Sequence, residues 1–193
     1  MKQPPPKQPS PRRLQTAAPR LHGLPPLVSE HTTVLVLGSF PGGRSLQLRQ
    51  YYAHPQNHFW PIMQSLWPDA WAQAQRHADL ADYDVRCNWL LSRGVGLWDV
   101  YESCLREGSL DANIRDAQLN DFAGLAARLP RLRAIAHNGG ESFRHARQLR
   151  QALPGERIAI HRLPSSSPAN ASWSFARKQQ AWREVLALHG LVA

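Results

Sequence analysis

Three short apolar runs constrain this chain more than any other feature. They are VLVL at 34–37, LRAIA at 132–136 and RIAIHRL at 157–163. Each run ends in Gly, Pro, Ser or Asn, and helix-patterned sequence lies between them. Short runs with little polar alternation fit strands buried on both faces, and strands separated by helices are joined by crossovers and run parallel. The expected architecture is α/β, a sandwich of helices around a parallel sheet. Residues 55–66 turn helical shortly after their start, with Phe59, Ile62, Met63 and Leu66 on one face. Residues 69–91 are expected to be helical as well. The last helix covers residues 174–188, with Phe175, Trp182, Val185 and Leu186 at helical spacing and Gly190 beyond its end.

Open sheets of this kind gather ligands at the carboxyl ends of their strands. Three loops are therefore expected to meet, at residues 38–57, 137–142 (HNGGES) and 164–171 (PSSSPANA). In the first, Gly38, Gly42 and Gly43 allow backbone N–H groups to face a ligand, although a tight turn explains them equally. The loop has neither the lysine of a P-loop nor a G-x-G-x-x-G pattern. The same loop continues as YYAHPQNHFW at 51–60. Tyr51 or Tyr52 offers a face on which a base can stack. Asn57 offers a donor and an acceptor, or simply caps a helix. Phe59 and Trp60 suit the core. In the third loop, Pro164 and Pro168 stiffen a run of three serines whose hydroxyl and N–H groups fit phosphate oxygens, unless it is a plain polar surface loop. Asp99 either faces the pocket or opens a helix.

Composition narrows the class. At 42% hydrophobic, the 193-residue chain can bury a substantial core, and one domain is the simplest reading. No apolar run approaches the ~20 residues that span a bilayer. The first twenty residues hold six prolines and five Lys or Arg, and lack the apolar stretch of a secretory signal. Residues 1–23 read as a disordered basic leader, a solvated arm or a source of nonspecific affinity for polyanions, and residues 24–193 as a single folded domain. Two cysteines, Cys87 and Cys104, cannot supply a four-cysteine metal site. The nine histidines fall at no metal-ligand spacing, so no metal is expected. No Gly-x-Ser-x-Gly elbow surrounds a serine.

Taken together, LVLGSFPGGRSL, QYYAHPQNHFW, GVGLWDVYESCLREGSLDANI, HNG at 137–139, LPSSSPANA and SFARKQQAW resemble the uracil-DNA glycosylase superfamily, and within it the hypoxanthine-DNA (deoxyinosine) glycosylase branch. They span most of residues 34–182 in the expected order. The resemblance implies a three-layer α/β/α sandwich with a central parallel four-stranded sheet. It also implies hydrolysis of the N-glycosidic bond of a base flipped out of DNA, without a cofactor. Many relatives place a water-holding asparagine in the first loop, where this chain has Phe40. In the deoxyinosine branch that role falls to the residue matching Asn57.

The mechanism implied has Gly38, Ser39, Phe40, Tyr52 and Asn138 binding the base. Tyr52 stacks on it, and the turn at Ser39 and Phe40 stabilises the departing anion through backbone N–H groups. Ser165, Ser166 and Ser167 grip phosphates. The tip formed by Pro168, Ala169 and Asn170 fills the gap in the duplex. With no lysine counted in the matched motifs, no Schiff-base lyase step is expected. The expected partner is DNA carrying deaminated bases, met by a monomer in the cytoplasm, at the nucleoid, with no membrane association. Three other readings stand beside this one. They are a uracil-directed enzyme of the same class, a DNA-binding relative without catalysis, and an unrelated α/β hydrolase of small esters or nucleosides.

Overall fold

A computed structural model describes residues 19–76, 83–153 and 158–193. Its centre is a four-stranded, all-parallel sheet in the order β3-β2-β6-β7. The strands are β2 (Val34–Gly38), β3 (Val95–Asp99), β6 (Ala134–Asn138) and β7 (Ala159–Leu163). The three apolar runs thus form three of the four strands, with ends displaced by up to two residues. Arg157, taken as the start of the last run, lies outside the described residues.

Strand β2 is buried along its whole length because helices cover both faces. Its side chains alternate between two apolar layers, as the two-residue period of a strand requires. Val34 and Val36 join one cluster with Phe59, Ile62, Leu90, Trp182 and Leu186. Leu35 and Leu37 join the other with Phe122, Leu125 and Leu149. The first layer is supplied by α2 (Phe59–Leu66), α4 (Tyr83–Ser92) and α8 (Phe175–Leu188), the second by α5 (Phe122–Ala127) and α7 (Ala146–Ala152). Helix α8 begins where the sequence places it, with the Ser174 hydroxyl accepting from the Arg177 N–H at 3.3 Å.

Three elements differ from the sequence reading. The helical stretch at 69–91 is two helices, α3 (Pro68–Arg76) and α4, with residues 77–82 between them outside the description. The segment around Trp98 is not merely core but the edge strand β3. Gly96 disguises it, and it is needed there because a Cβ would lie 2.9 Å from Thr32 and 3.0 Å from Val28. The third difference is a small antiparallel sheet of β1 (Leu21–His22), β4 (Tyr101–Leu105) and β5 (Arg115–Leu119), packed beside the second cluster. Leu21 and His22, read as part of the leader, pair with Cys104 and Ser103, so ordered structure begins before Leu24. Residues 1–18 of that leader are outside the described part.

Two further helices, α1 (Gly43–Leu48) and α6 (Gly140–Phe143), begin within the first and second ligand loops. Cys87 and Cys104 are buried thiols. Among the described residues no helix is long and apolar enough to cross a membrane.

Candidate active site

The carboxyl ends of β2, β3, β6 and β7 open into one cleft of about 560 Å³. All the residues expected to act lie along it, from Gly38 to Phe40, through Tyr52 and Asn57, to Asn138 and the run from Ser165 to Asn170. Parallel pairing brings the loops together, since Gly38 sits opposite Asp99 and Asn138 opposite Leu163.

The first loop turns immediately after β2. Its carbonyls are held by the neighbouring strand, with Val100 N–H donating to Gly38 O at 2.9 Å and Tyr101 N–H to Ser39 O at 3.0 Å. Among the described residues no acceptor meets the amide hydrogens of Ser39 and Phe40. Phe40 itself is buried in the second apolar cluster, beneath the Arg106 guanidinium at 4.9 Å. The ring is apolar and packed into the core, so the polar groups this position offers the cleft are those of its backbone.

The consecutive tyrosines part company. Tyr51 is core, its hydroxyl donating to Pro25 O at 3.1 Å and its N–H to the Tyr83 hydroxyl at 2.8 Å. Tyr52 adopts φ +54°, an uncommon left-handed conformation that turns its ring into the cleft. One face of that ring stacks on Phe59 at 4.1 Å with 23° between planes. Burial pushes the pKa of the Tyr52 phenol well above its usual value, so it stays protonated. Asn57 precedes His58, the N-cap of α2, and its Oδ1 accepts from Phe59 N–H, the first amide of the helix, at 2.9 Å. That bond uses one lone pair, and the side chain still lines the cleft.

Asn138 ends β6 and ties the far wall together. Its Nδ2 donates to the Tyr52 hydroxyl at 3.1 Å and to Ser166 Oγ at 2.9 Å, while Oδ1 accepts from Ser166 N–H at 2.8 Å. Both amide hydrogens are therefore committed before any base arrives, and what Asn138 supplies is position. Ser166 is fully buried and bonded to Asn138, which leaves only Ser165 and Ser167 to offer hydroxyls toward phosphate. Pro168 and Ala169 are exposed, but Asn170 folds back, donating to Ser165 O at 3.1 Å. Lys178 corrects the count of lysines, because it stands in SFARKQQAW, the last matched segment. It is buried behind the serine loop, with Nζ donating to Ser167 O at 3.2 Å, and it is not part of the cleft lining.

The sequence left Asp99 undecided, and the structure puts it at the centre. It ends β3 rather than opening a helix, is almost fully buried and lines the cleft. A Cβ on Gly38 would lie 2.4 Å from its Oδ1, so the glycine makes room for the carboxyl. Its Oδ2 is buried without a hydrogen-bond partner. Burial, reinforced by the charge of Asp111, pushes the carboxyl up to about 7, against the pull of Arg106. Arg106 is also buried, donating to Pro41 O at 2.6 Å, with Nε and one terminal nitrogen unpartnered. The sequence signal that could have found this pair was the apolar run Val95–Trp98 ending in a carboxylate, which marks a strand terminus at a sheet's ligand edge.

The sequence profile of the Uracil DNA glycosylase superfamily matches residues 25–186. The Hypoxanthine DNA glycosylase of Methanosarcina acetivorans is 37% identical over 163 residues, covering 84% of this chain and 96% of the relative. The Hypoxanthine DNA glycosylase of Methanosarcina barkeri is 33% identical over 162 residues, covering 84% and 95%. The solution NMR structure of a candidate uracil DNA glycosylase from Methanosarcina acetivorans superposes with a TM-score of 0.73 at 33% identity, covering 89% of this chain and 99% of that one. The chain belongs to the uracil DNA glycosylase superfamily.

Proposed function

We propose that this member of the superfamily hydrolyses the N-glycosidic bond of deaminated bases in DNA, with hypoxanthine its first substrate, acting as a cytoplasmic monomer. The observation that carries the reading is one juxtaposition. The Tyr52 ring, the unbonded Asp99 oxygen and Asn57 face a single cleft at the strand ends. A base flipped from the duplex stacks on Tyr52, whose opposite face is braced by Phe59. Asp99 reads its edge. Hypoxanthine presents an N1–H donor beside an O6 acceptor, and a neutral carboxyl presents the matching acceptor and donor.

The amide hydrogens of Ser39 and Phe40 receive the negative charge that develops on the departing base. The sugar becomes oxocarbenium-like, as in glycoside hydrolysis generally. Asn57 then positions the water. The second lone pair of Oδ1 accepts a water hydrogen and leaves the water's own lone pair directed at the sugar carbon, a contribution of positioning rather than basicity. Ser165 and Ser167 hold the backbone phosphates. Lys178 is withdrawn behind its loop, so the reaction ends at the abasic site.

Uracil is the second reading, because its N3–H and O4 repeat the donor–acceptor edge that Asp99 meets. The test is strand cleavage by alkali after incubation with duplexes carrying one deoxyinosine or one deoxyuridine. Breaks at inosine are expected, reduced about 100-fold or more in Asn57→Ala. Breaks only at uracil would replace the substrate. Absence of breaks with DNA still bound would make the protein a binding module, and Asn57→Ala at full rate would remove that residue from the chemistry.

A further inference from the structure

The carbonyls of Gly38, Ser39 and Pro41 in the first loop are anchored from one side. The first two accept from the N–H groups of Val100 and Tyr101. Pro41 O accepts from Nη2 of Arg106, the residue after β4, at 2.6 Å. Of these three donors, only Arg106 carries a charge.

Pinning a carbonyl does not require a cation. A neutral side chain would serve without the cost of desolvating a charge. Yet Arg106 is buried. Its Nε and Nη1 lack hydrogen-bond partners, and among the described residues no carboxylate pairs with the guanidinium. It lies over the Phe40 ring, which carries no charge to neutralise it. Arg106 is absent from the cleft lining, so it touches neither base nor sugar. Its field still reaches the cleft, where it favours the ionised forms of Asp99 and Asp111.

We propose that Arg106 is a positioning residue acting through the first loop, a role that rests on the glycosylase reading above. It pins Pro41 and sets an unneutralised positive charge beside the turn whose Ser39 and Phe40 amides receive the departing base. As the N-glycosidic bond breaks, its electron pair goes to the base, and the anion forms at those amides. A cation in the dry interior beside them acts on that anion more strongly than it would in water. The neutral base before cleavage gains little from it, so the rate depends on Arg106 more than binding does.

Single-turnover excision of deoxyinosine from a duplex is measured for the wild type, Arg106→Lys, Arg106→Gln and Arg106→Met, together with duplex affinity. Gln keeps a donor for Pro41 O and loses the charge, and Met loses both. At pH 6, Gln and Met are expected to be slower by about tenfold or more, with affinity within a few-fold of the wild type. Lys is expected to recover most of the rate. The second readout is the pH at which excision falls as Asp99 ionises. Asp99 is faced by Arg106, Asp111, Tyr51 and Tyr52, and burial keeps both phenols protonated. The guanidinium favours the ionised carboxyl, so its removal moves the fall from about 7 to higher pH, and Lys leaves it in place. A bond that only holds the loop would not move it. Gln at the wild-type rate, Lys no faster than Gln, or an unmoved step in Gln would overturn the role and leave the glycosylase standing. If Met does not fold, Gln against Lys decides alone. A wild type that cleaves at neither inosine nor uracil would overturn the function and this role together.

Discussion

The two walls of the cleft are built on opposite principles. The wall on the β6–β7 side is satisfied. Asn138 spends both amide hydrogens on Tyr52 and Ser166, Ser166 is buried, and Lys178 fastens Ser167 from behind. The wall on the β3 side is not. Asp99 keeps a buried oxygen without a partner, Arg106, behind the lining, keeps two buried nitrogens without partners, and Leu110 stands in water. Leaving a buried polar group unpaired costs free energy, and at Asp99 that group lies at the cleft. On the proposed reading the first wall positions and the second recognises.

The largest test of that division is Asp99→Ala. Removing the edge-reading group is expected to slow excision about 100-fold, the size of one lost charged or buried hydrogen bond to substrate. Asp99→Asn keeps a donor and an acceptor on the same frame and is expected to retain most of the rate. The two variants separate through pH. Ionised Asp99 repels O6, so wild-type excision falls as pH rises through about 7. The Asn variant is expected to be flat across that range, and a wild-type profile without the step would break the assignment.

Stability gives an independent reading of the same carboxyl. Asp99 holds its proton to about 7 in the fold, against 3.8 for an ordinary Asp. Between those values the folded protein binds more protons than the unfolded chain. Stability therefore falls as pH rises from about 4 to about 7 and is level above it. Asp99→Asn removes that loss and is expected to be more stable at pH 8 by on the order of 2–4 kcal/mol, measured by urea unfolding. An Asn variant no more stable than wild type at pH 8 would mean that the carboxyl has a partner in the fold.

On the satisfied wall the sign reverses. Asn138→Ala leaves Ser166 and the Tyr52 hydroxyl without their bonds and is expected to destabilise by about 2–3 kcal/mol at every pH. Its excision loss, about tenfold, reflects a Tyr52 ring no longer held. The smallest effect is expected from Lys178→Met. The lost bond to Ser167 O is offset by removing a desolvated charge, for a net change below about 1 kcal/mol. Duplex binding weakens a few-fold as the serine loop loosens, and a loss of all excision would make this lysine chemical rather than supporting.

Much of the site was legible because the ligand loops follow apolar runs that are visible without a structure. VLVL announces β2, and the Gly-Pro turn and the aromatic stretch after it contribute to the cleft. Asn57 was readable both as a cap and as a polar group at the mouth, and it lines the cleft while one lone pair holds the first amide of α2, whose cap is His58. The serines were readable as a loop, but not which of them faces out. That depended on Asn138, a residue 28 positions away, claiming Ser166.

The local pattern of apolar residues, turn formers and caps announced the strands of the sheet, the loops that follow them and the helix that closes the chain, because periodicity and turn chemistry are properties of adjacent residues. Tertiary structure alone decided which wall would be satisfied. Only the pairing of β3 with β2 sets Asp99 against Gly38, whose missing side chain leaves room for a buried carboxyl. Only the folding of Arg106 over Phe40 places a cation with two unpartnered buried nitrogens nearby. Burial is a property of everything packed around a group, and so the raised pKa of Asp99 has no counterpart in the residues beside it along the chain.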